Sequence, residues 1–241
     1  MIVTTETVDV GSIRCLVAQP PGATRRPAVV LYSDIFQLTP PMVRTVKRLA
    51  GYGFLVVAPE LYGRIEPAGT VLDFDRDRQR ALDDADKMAV EHLDADRRAV
   101  LDWLKSRAPV VGVGGWCFGG HLAFRAAFEP DVKATACFYG TGIHNGKLGA
   151  SSNAGSLERV KEIRAPLMLV WGGKDPHIPG EGRDRIHAAL RTADVPFDLH
   201  IYADGEHAFM RDEGPRYDPE ATDQAFAVMV DFFRRHLSSK G

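Results

Sequence analysis

The stretch Val110-Val111-Gly112-Val113-Gly114-Gly115-Trp116-Cys117-Phe118-Gly119-Gly120-His121-Leu122-Ala123-Phe124 decides the fold. Its opening valines and glycines form a short apolar run suited to a strand buried on both faces, and its closing residues suit a helix. Between them stands Gly115-x-Cys117-x-Gly119. Small residues two before and two after a nucleophile let a strained turn pass between strand and helix, leaving the side chain exposed at the strand's carboxyl end. Cys117 is therefore a candidate nucleophile, and a helix N-terminus with a neighbouring histidine would favour its thiolate. Cysteine is also among the most often buried residues, so partner residues must decide.

Outward from this turn, strand-like runs occur at 13–19, 28–33, 54–58, 134–139, 167–171 and 198–202, most of them short and almost wholly apolar. Helical patterns lie between them, such as Met42, Val43, Val46, Leu49 and Ala50, and Phe226, Met229, Val230, Phe233 and Leu237. Each set is spaced as one apolar helix face. Strand and helix alternate, which predicts an α/β fold with a doubly wound, mostly parallel sheet flanked by helices. The charged stretch 73–107 reads as helices with a solvated face, and 141–156 and 205–217 read as long loops. Without a linker or repeat, residues 1–241 are expected to form a single domain.

The 241 residues are 45% apolar and 26% charged, with a formal net charge of -2. No broad basic field is available for nucleic acid or an anionic membrane, so a small-molecule substrate is expected. Cys15, Cys117 and Cys137 match neither a zinc knuckle nor a CxxC pair, and the expectation is reduced thiols in a cytoplasmic protein. The start, Met1-Ile2-Val3-Thr4-Thr5-Glu6, has no basic or long apolar leader, and no apolar run approaches the length of a membrane span. Histidine spacing suggests no metal, and no cofactor is implied.

Two further residues stand where a triad needs them. Asp175 leaves the strand-like run 167–171 through Gly172-Gly173-Lys174-Asp175, and His207 lies in the loop before the last helix. The order nucleophile, acid, histidine is that of α/β-hydrolases, in which the acid holds the imidazole in one tautomer. His177 is the main competitor as base. Backbone N–H donors for the substrate oxyanion are expected at Phe118, after the nucleophile, and at Ile35, after an early strand.

Together these residues resemble the dienelactone hydrolase (carboxymethylenebutenolidase) family over nearly the whole chain. The resemblance is carried by Ser33-Asp34-Ile35-Phe36, Ala58-Pro59-Glu60-Leu61-Tyr62-Gly63, Gly115-Trp116-Cys117-Phe118-Gly119-Gly120, Gly172-Gly173-Lys174-Asp175 and Glu206-His207-Ala208-Phe209. It implies hydrolysis of a carboxylate-bearing enol-lactone through an acyl-cysteine, without a cofactor, by a monomer or small homo-oligomer. It also implies that Arg80 and Arg211 hold the substrate carboxylate, a task suited to guanidinium forks. Asp34 stands where the family has a glutamate contacting the resting thiol, and Ala208 where it often has a hydroxyl residue. With the shorter aspartate, Cys117 is expected to lie nearer His207 and to be the most readily alkylated of the three thiols. A broader carboxylesterase or thioesterase is the second reading, and a slow-turnover small-molecule receptor on the same scaffold the third.

Overall fold

The computed structural model describes residues 2–22 and 25–238, so Met1 of the N-terminal stretch and both ends of the span 1–241 lie outside it. Among the described residues, eight strands form one sheet: β1 (Thr4–Val10), β2 (Ile13–Gln19), β3 (Ala28–Tyr32), β4 (Leu55–Pro59), β5 (Val111–Trp116), β6 (Val132–Phe138), β7 (Leu167–Gly172) and β8 (Phe197–Tyr202). Their order across the sheet is β1-β2-β4-β3-β5-β6-β7-β8. Strands β3 to β8 run parallel, while β1 and β2 are antiparallel to their neighbours. Strands β3, β4, β5 and β7 are buried at every position, as their unbroken apolar runs require.

Six α-helices among the described residues cover the sheet: α1 (Pro40–Ala50), α2 (Arg78–Lys87), α3 (Val90–Lys105), α4 (Phe118–Ala126), α5 (Gly180–Thr192) and α6 (Pro219–Leu237). Thus 73–107 holds two helices, broken at Met88 and Ala89. Helix α6 opens with Asp218, whose side chain accepts from the Ala221 N–H at 3.0 Å, and with Pro219 in its first turn. Its buried face then runs through Phe226, Met229, Val230, Phe233 and Leu237. The residues of β5 alternate between layers. Gly112 lies under Phe233 and Leu237 of α6, while Gly115 lies under the backbone of α4. Helices on both faces therefore converge on the central strand that carries Cys117 at its end.

Candidate active site

Cys117 sits between β5 and α4 with φ +57 and ψ -119, a conformation that L side chains rarely adopt and that costs roughly 1–3 kcal/mol. Its neighbours make the turn possible. A Cβ at Gly115 would stand 2.0 Å from the Gly119 carbonyl oxygen, and one at Gly119 would stand 2.2 Å from the Ser33 carbonyl oxygen. The turn is fixed from outside by the Cys117 N–H, which donates to the Phe138 carbonyl at 3.0 Å. Cys117 is partly exposed, whereas Cys15 and Cys137 are fully buried.

Asp175 follows β7 and is buried. One carboxylate oxygen accepts from His207 Nδ1 at 2.7 Å, and the other accepts from the His177 backbone N–H at 2.8 Å. The same carboxylate thus fixes the tautomer of His207, leaving Nε2 toward the cavity, while His177 meets it only through its main chain. The His177 ring stands edge-on to that of His207, with centroids 4.6 Å apart. Burial works against a charge on His207, but its interactions with Cys117 and the Asp175 carboxylate outweigh that and raise the imidazole to about 10. Burial, followed by the charge of His207, lowers His177.

Cys117 and His207 open into one cavity of about 500 Å³, within the range of small-molecule sites. Ile35 and Phe118 line it as well. The Ile35 N–H has no acceptor among the described residues, and the Phe118 N–H, at the first helical position, is one of the donors a helix start leaves unpaired. The apolar part of its lining includes Phe36, Phe74 and Leu82, and the loop 141–149 contributes Thr141, His144, Asn145 and Lys147. A second depression, of about 680 Å³, lies at the sheet edge between β8 and α6 and carries no candidate nucleophile.

Two expectations change in detail. Arg80 does not reach the cavity: its guanidinium is paired with Glu66 and stands 4.0 Å from Asp84. Arg78, two residues earlier, lines the cavity instead. Helical positions two apart point about 200° apart, so only one of the two arginines can face inward. Asp34 lines the cavity but makes no hydrogen bond to Cys117 among the described residues. Its Oδ1 accepts from the Phe36 N–H at 2.9 Å, and its Oδ2 stands 3.9 Å from Arg211 Nη1. Burial raises the Asp34 carboxyl, opposed by the Phe36 N–H and by the charges of Arg211 and His207. The shorter side chain closes a local turn that sets the peptide of Ile35.

Arg211 lies in the cavity wall. Sequence reasoning missed Arg78, Arg216, Lys147, His144 and the aromatic wall, because each depends on how a loop or helix is rotated. The sequence signal available was the polar loop 141–156, read as a loop but not as a wall. Among the described residues no cluster of His, Cys, Asp or Glu could hold a metal, and no helix is long and apolar enough to cross a membrane.

A sheet of this order, with a strained cysteine after β5 and a histidine–aspartate pair after β8 and β7, defines an α/β-hydrolase. The chain belongs to the dienelactone hydrolase family, whose sequence pattern matches residues 13–237. It is 35% identical to the "Putative carboxymethylenebutenolidase" of Saccharomyces cerevisiae, over 88% of this chain and 81% of the relative. It is 31% identical to the carboxymethylenebutenolidase of Pseudomonas sp. strain P51, over 90% and 88%. The crystal structure of a "Putative Dienelactone Hydrolase" from Klebsiella pneumoniae superposes with a TM-score of 0.84 at 23% identity, covering 98% of this chain and all of that one. The protein is therefore a hydrolase of the dienelactone hydrolase type.

Proposed function

We propose that the protein hydrolyses a small ester or enol-lactone bearing a carboxylate, through a thioester on Cys117. Cys117 Sγ attacks the carbonyl carbon while His207 Nε2 holds the proton given up by the thiol, and Asp175 stabilises that imidazolium. The carbonyl oxygen becomes an oxyanion held by the N–H groups of Ile35 and Phe118. The tetrahedral adduct collapses, the C–O bond breaks, and His207 returns its proton to the leaving oxygen. Water, deprotonated by His207, then attacks the thioester and releases the acid and the free thiol. Arg211 receives the substrate carboxylate, with Arg78 taking the place expected of Arg80.

The observation that carries this reading is the 2.7 Å bond from His207 to Asp175 beside a cysteine held at φ +57 in the same cavity. The apolar lining of Phe36, Phe74 and Leu82 also favours a second reading, hydrolysis of a wider range of esters and thioesters. Turnover of dienelactone and of p-nitrophenyl esters by wild type, Cys117→Ala, His207→Ala and Asp175→Asn tests the mechanism. Cys117→Ala is expected to abolish turnover and the other two to reduce it by orders of magnitude, because triad members act as a unit. Mass spectrometry of wild type quenched during turnover should show one acyl group on Cys117. Wild-type rates in Cys117→Ala would exclude the mechanism, and dienelactone turned over no faster than simple esters would favour the second reading.

A further inference from the structure

Arg211 is held in an unusual way for a cavity cation. Its guanidinium carbon stands 3.9 Å from the centroid of Phe74 and 5.6 Å from that of Phe36. The two rings meet edge to face, with centroids 4.9 Å apart, and form one aromatic corner. Phe74 comes from a braced segment. Asp73 Oδ1 accepts from the N–H groups of Asp75 and Arg76, Asp77 Oδ2 accepts from the N–H of Asp73, and the Leu72 N–H donates to the Phe36 carbonyl. From the other side, the Arg211 N–H donates to the Ala208 carbonyl, which ties the arginine's backbone to the loop carrying His207.

An arginine side chain has among the largest rotamer freedoms of any residue, and ordering it on binding weakens the bond it makes. Stacking one face of the guanidinium on a ring orders it before substrate arrives. The N–H donors lie in the guanidinium plane, so stacking leaves them free for a carboxylate fork. Few polar partners inside the protein compete for them. Nε reaches the Glu213 carbonyl only at 3.3 Å, and Nη1 is 3.9 Å from Asp34. The side chain is 13% exposed, so charge attraction is weakly screened. With Arg80 engaged outside the cavity, Arg211 is the arginine of the expected pair that remains available.

We propose that Phe74 is a positioning residue that stacks on Arg211 and presents its guanidinium edge to the substrate carboxylate, making Phe74 a determinant of selectivity for anionic substrates. The proposal rests on Arg211 being the carboxylate anchor. Phe74 has no part in the attack on the carbonyl, and its effect is confined to substrates whose charge reaches Arg211.

The test compares the mono-p-nitrophenyl ester of glutaric acid, which keeps a free carboxylate, with its methyl-capped neutral counterpart. The readout is the anionic-to-neutral ratio of kcat/KM in wild type, Phe74→Leu, Phe74→Tyr, Arg211→Gln and the double variant Phe74→Leu/Arg211→Gln. Phe74→Leu is expected to lower that ratio about three- to tenfold, mainly through KM for the anion, from the usual strength of a cation–π contact. Phe74→Tyr keeps an aromatic face and should keep the ratio. Once Arg211 is gone, Phe74→Leu should change it no further. The proposal is overturned if Phe74→Leu slows both esters alike, or shifts the ratio equally with and without Arg211. A ratio unmoved by Phe74→Leu but collapsed by Arg211→Gln overturns the positioning role and leaves the anchor standing. A ratio unmoved by Arg211→Gln removes the anchor, and the role of Phe74 with it.

Discussion

At the scale of single residues, the three cysteines share a side chain and differ in everything around it. Burial raises Cys15 to about 12, with Glu60 and Asp9 adding to the shift, and burial alone raises Cys137 still further. Cys117 is instead partly exposed, at a helix start, in the cavity that holds His207. Iodoacetamide reacts with the thiolate, so at mildly acidic pH it should label Cys117 well before either of the others. Peptide mapping by mass spectrometry of briefly treated native protein checks this; equal labelling of all three would contradict the environments described. Cys117 was legible from sequence because the glycines two residues to either side of it have a steric purpose that their spacing reveals. The pairing of Asp175 with His207 followed from chain order. The choice between Arg78 and Arg80 did not, since it turns on helix phase set by the Asp73–Asp77 segment, and Phe74 carried no motif at all.

At the scale of elements, the cavity-lining stretch 141–149 belongs to the loop 141–156, and helix α4 holds both ends of that loop. His121, one turn after Cys117, donates from Nδ1 to the Thr141 carbonyl at 2.9 Å and accepts at Nε2 from the Ser156 hydroxyl at 2.7 Å. This tautomer follows from the partners, since a carbonyl can only accept. Arg125 adds bonds to the Ala154 carbonyl at 2.7 Å and to Ser156 Oγ at 3.1 Å. Burial, reinforced by the charge of Arg125, lowers His121 to about 3. An unfolded histidine has a pKa near 6.5, so between about pH 6.5 and 3 the unfolded chain binds a proton that the folded one excludes. The contribution is therefore complete above about pH 6.5 and is lost as the pH falls toward 3. His121→Gln should flatten the pH dependence of unfolding free energy in that window by up to about 1.4 kcal/mol per pH unit, the limit for one proton. Urea titrations at stepped pH measure it, and identical slopes for the two proteins would show that His121 is solvated rather than locked. Among elements, the buried parallel strands were readable as apolar runs, but β1 was not. Its sequence Thr-Thr-Glu-Thr-Val-Asp-Val is polar and mostly exposed, and it is a strand because seven register pairs join it to β2.

At the scale of the whole molecule, the site depends on two layers meeting at one strand. Position 112 of β5 is glycine because α6 leaves no room there: an added Cβ would stand 2.8 Å from Leu237 Cδ1 and 3.0 Å from Phe233 Cε1. The partner of that small residue is a large one, since Phe233 is fully buried and also meets Phe54 edge to face, with centroids 6.3 Å apart. Glycine on the strand and phenylalanine on the helix bring α6 close enough to seal the face of the sheet opposite the nucleophile turn. Truncating Phe233 would leave a cavity under the central strand, and such losses cost about 3–5 kcal/mol. Phe233→Ala should therefore lower the urea midpoint by about that energy divided by the slope of the transition. The side chain lies on the α6 face of β5, away from the cavity, and Cys117 is separately braced by Phe138 and by the backbone of α4. Stability and turnover should thus come apart. At temperatures where the variant remains folded, kcat for a neutral p-nitrophenyl ester should stay within about twofold of wild type. If kcat fell in proportion to the lost stability, the packing of α6 would be setting the geometry of the nucleophile turn, and the two layers would be one mechanical unit rather than two.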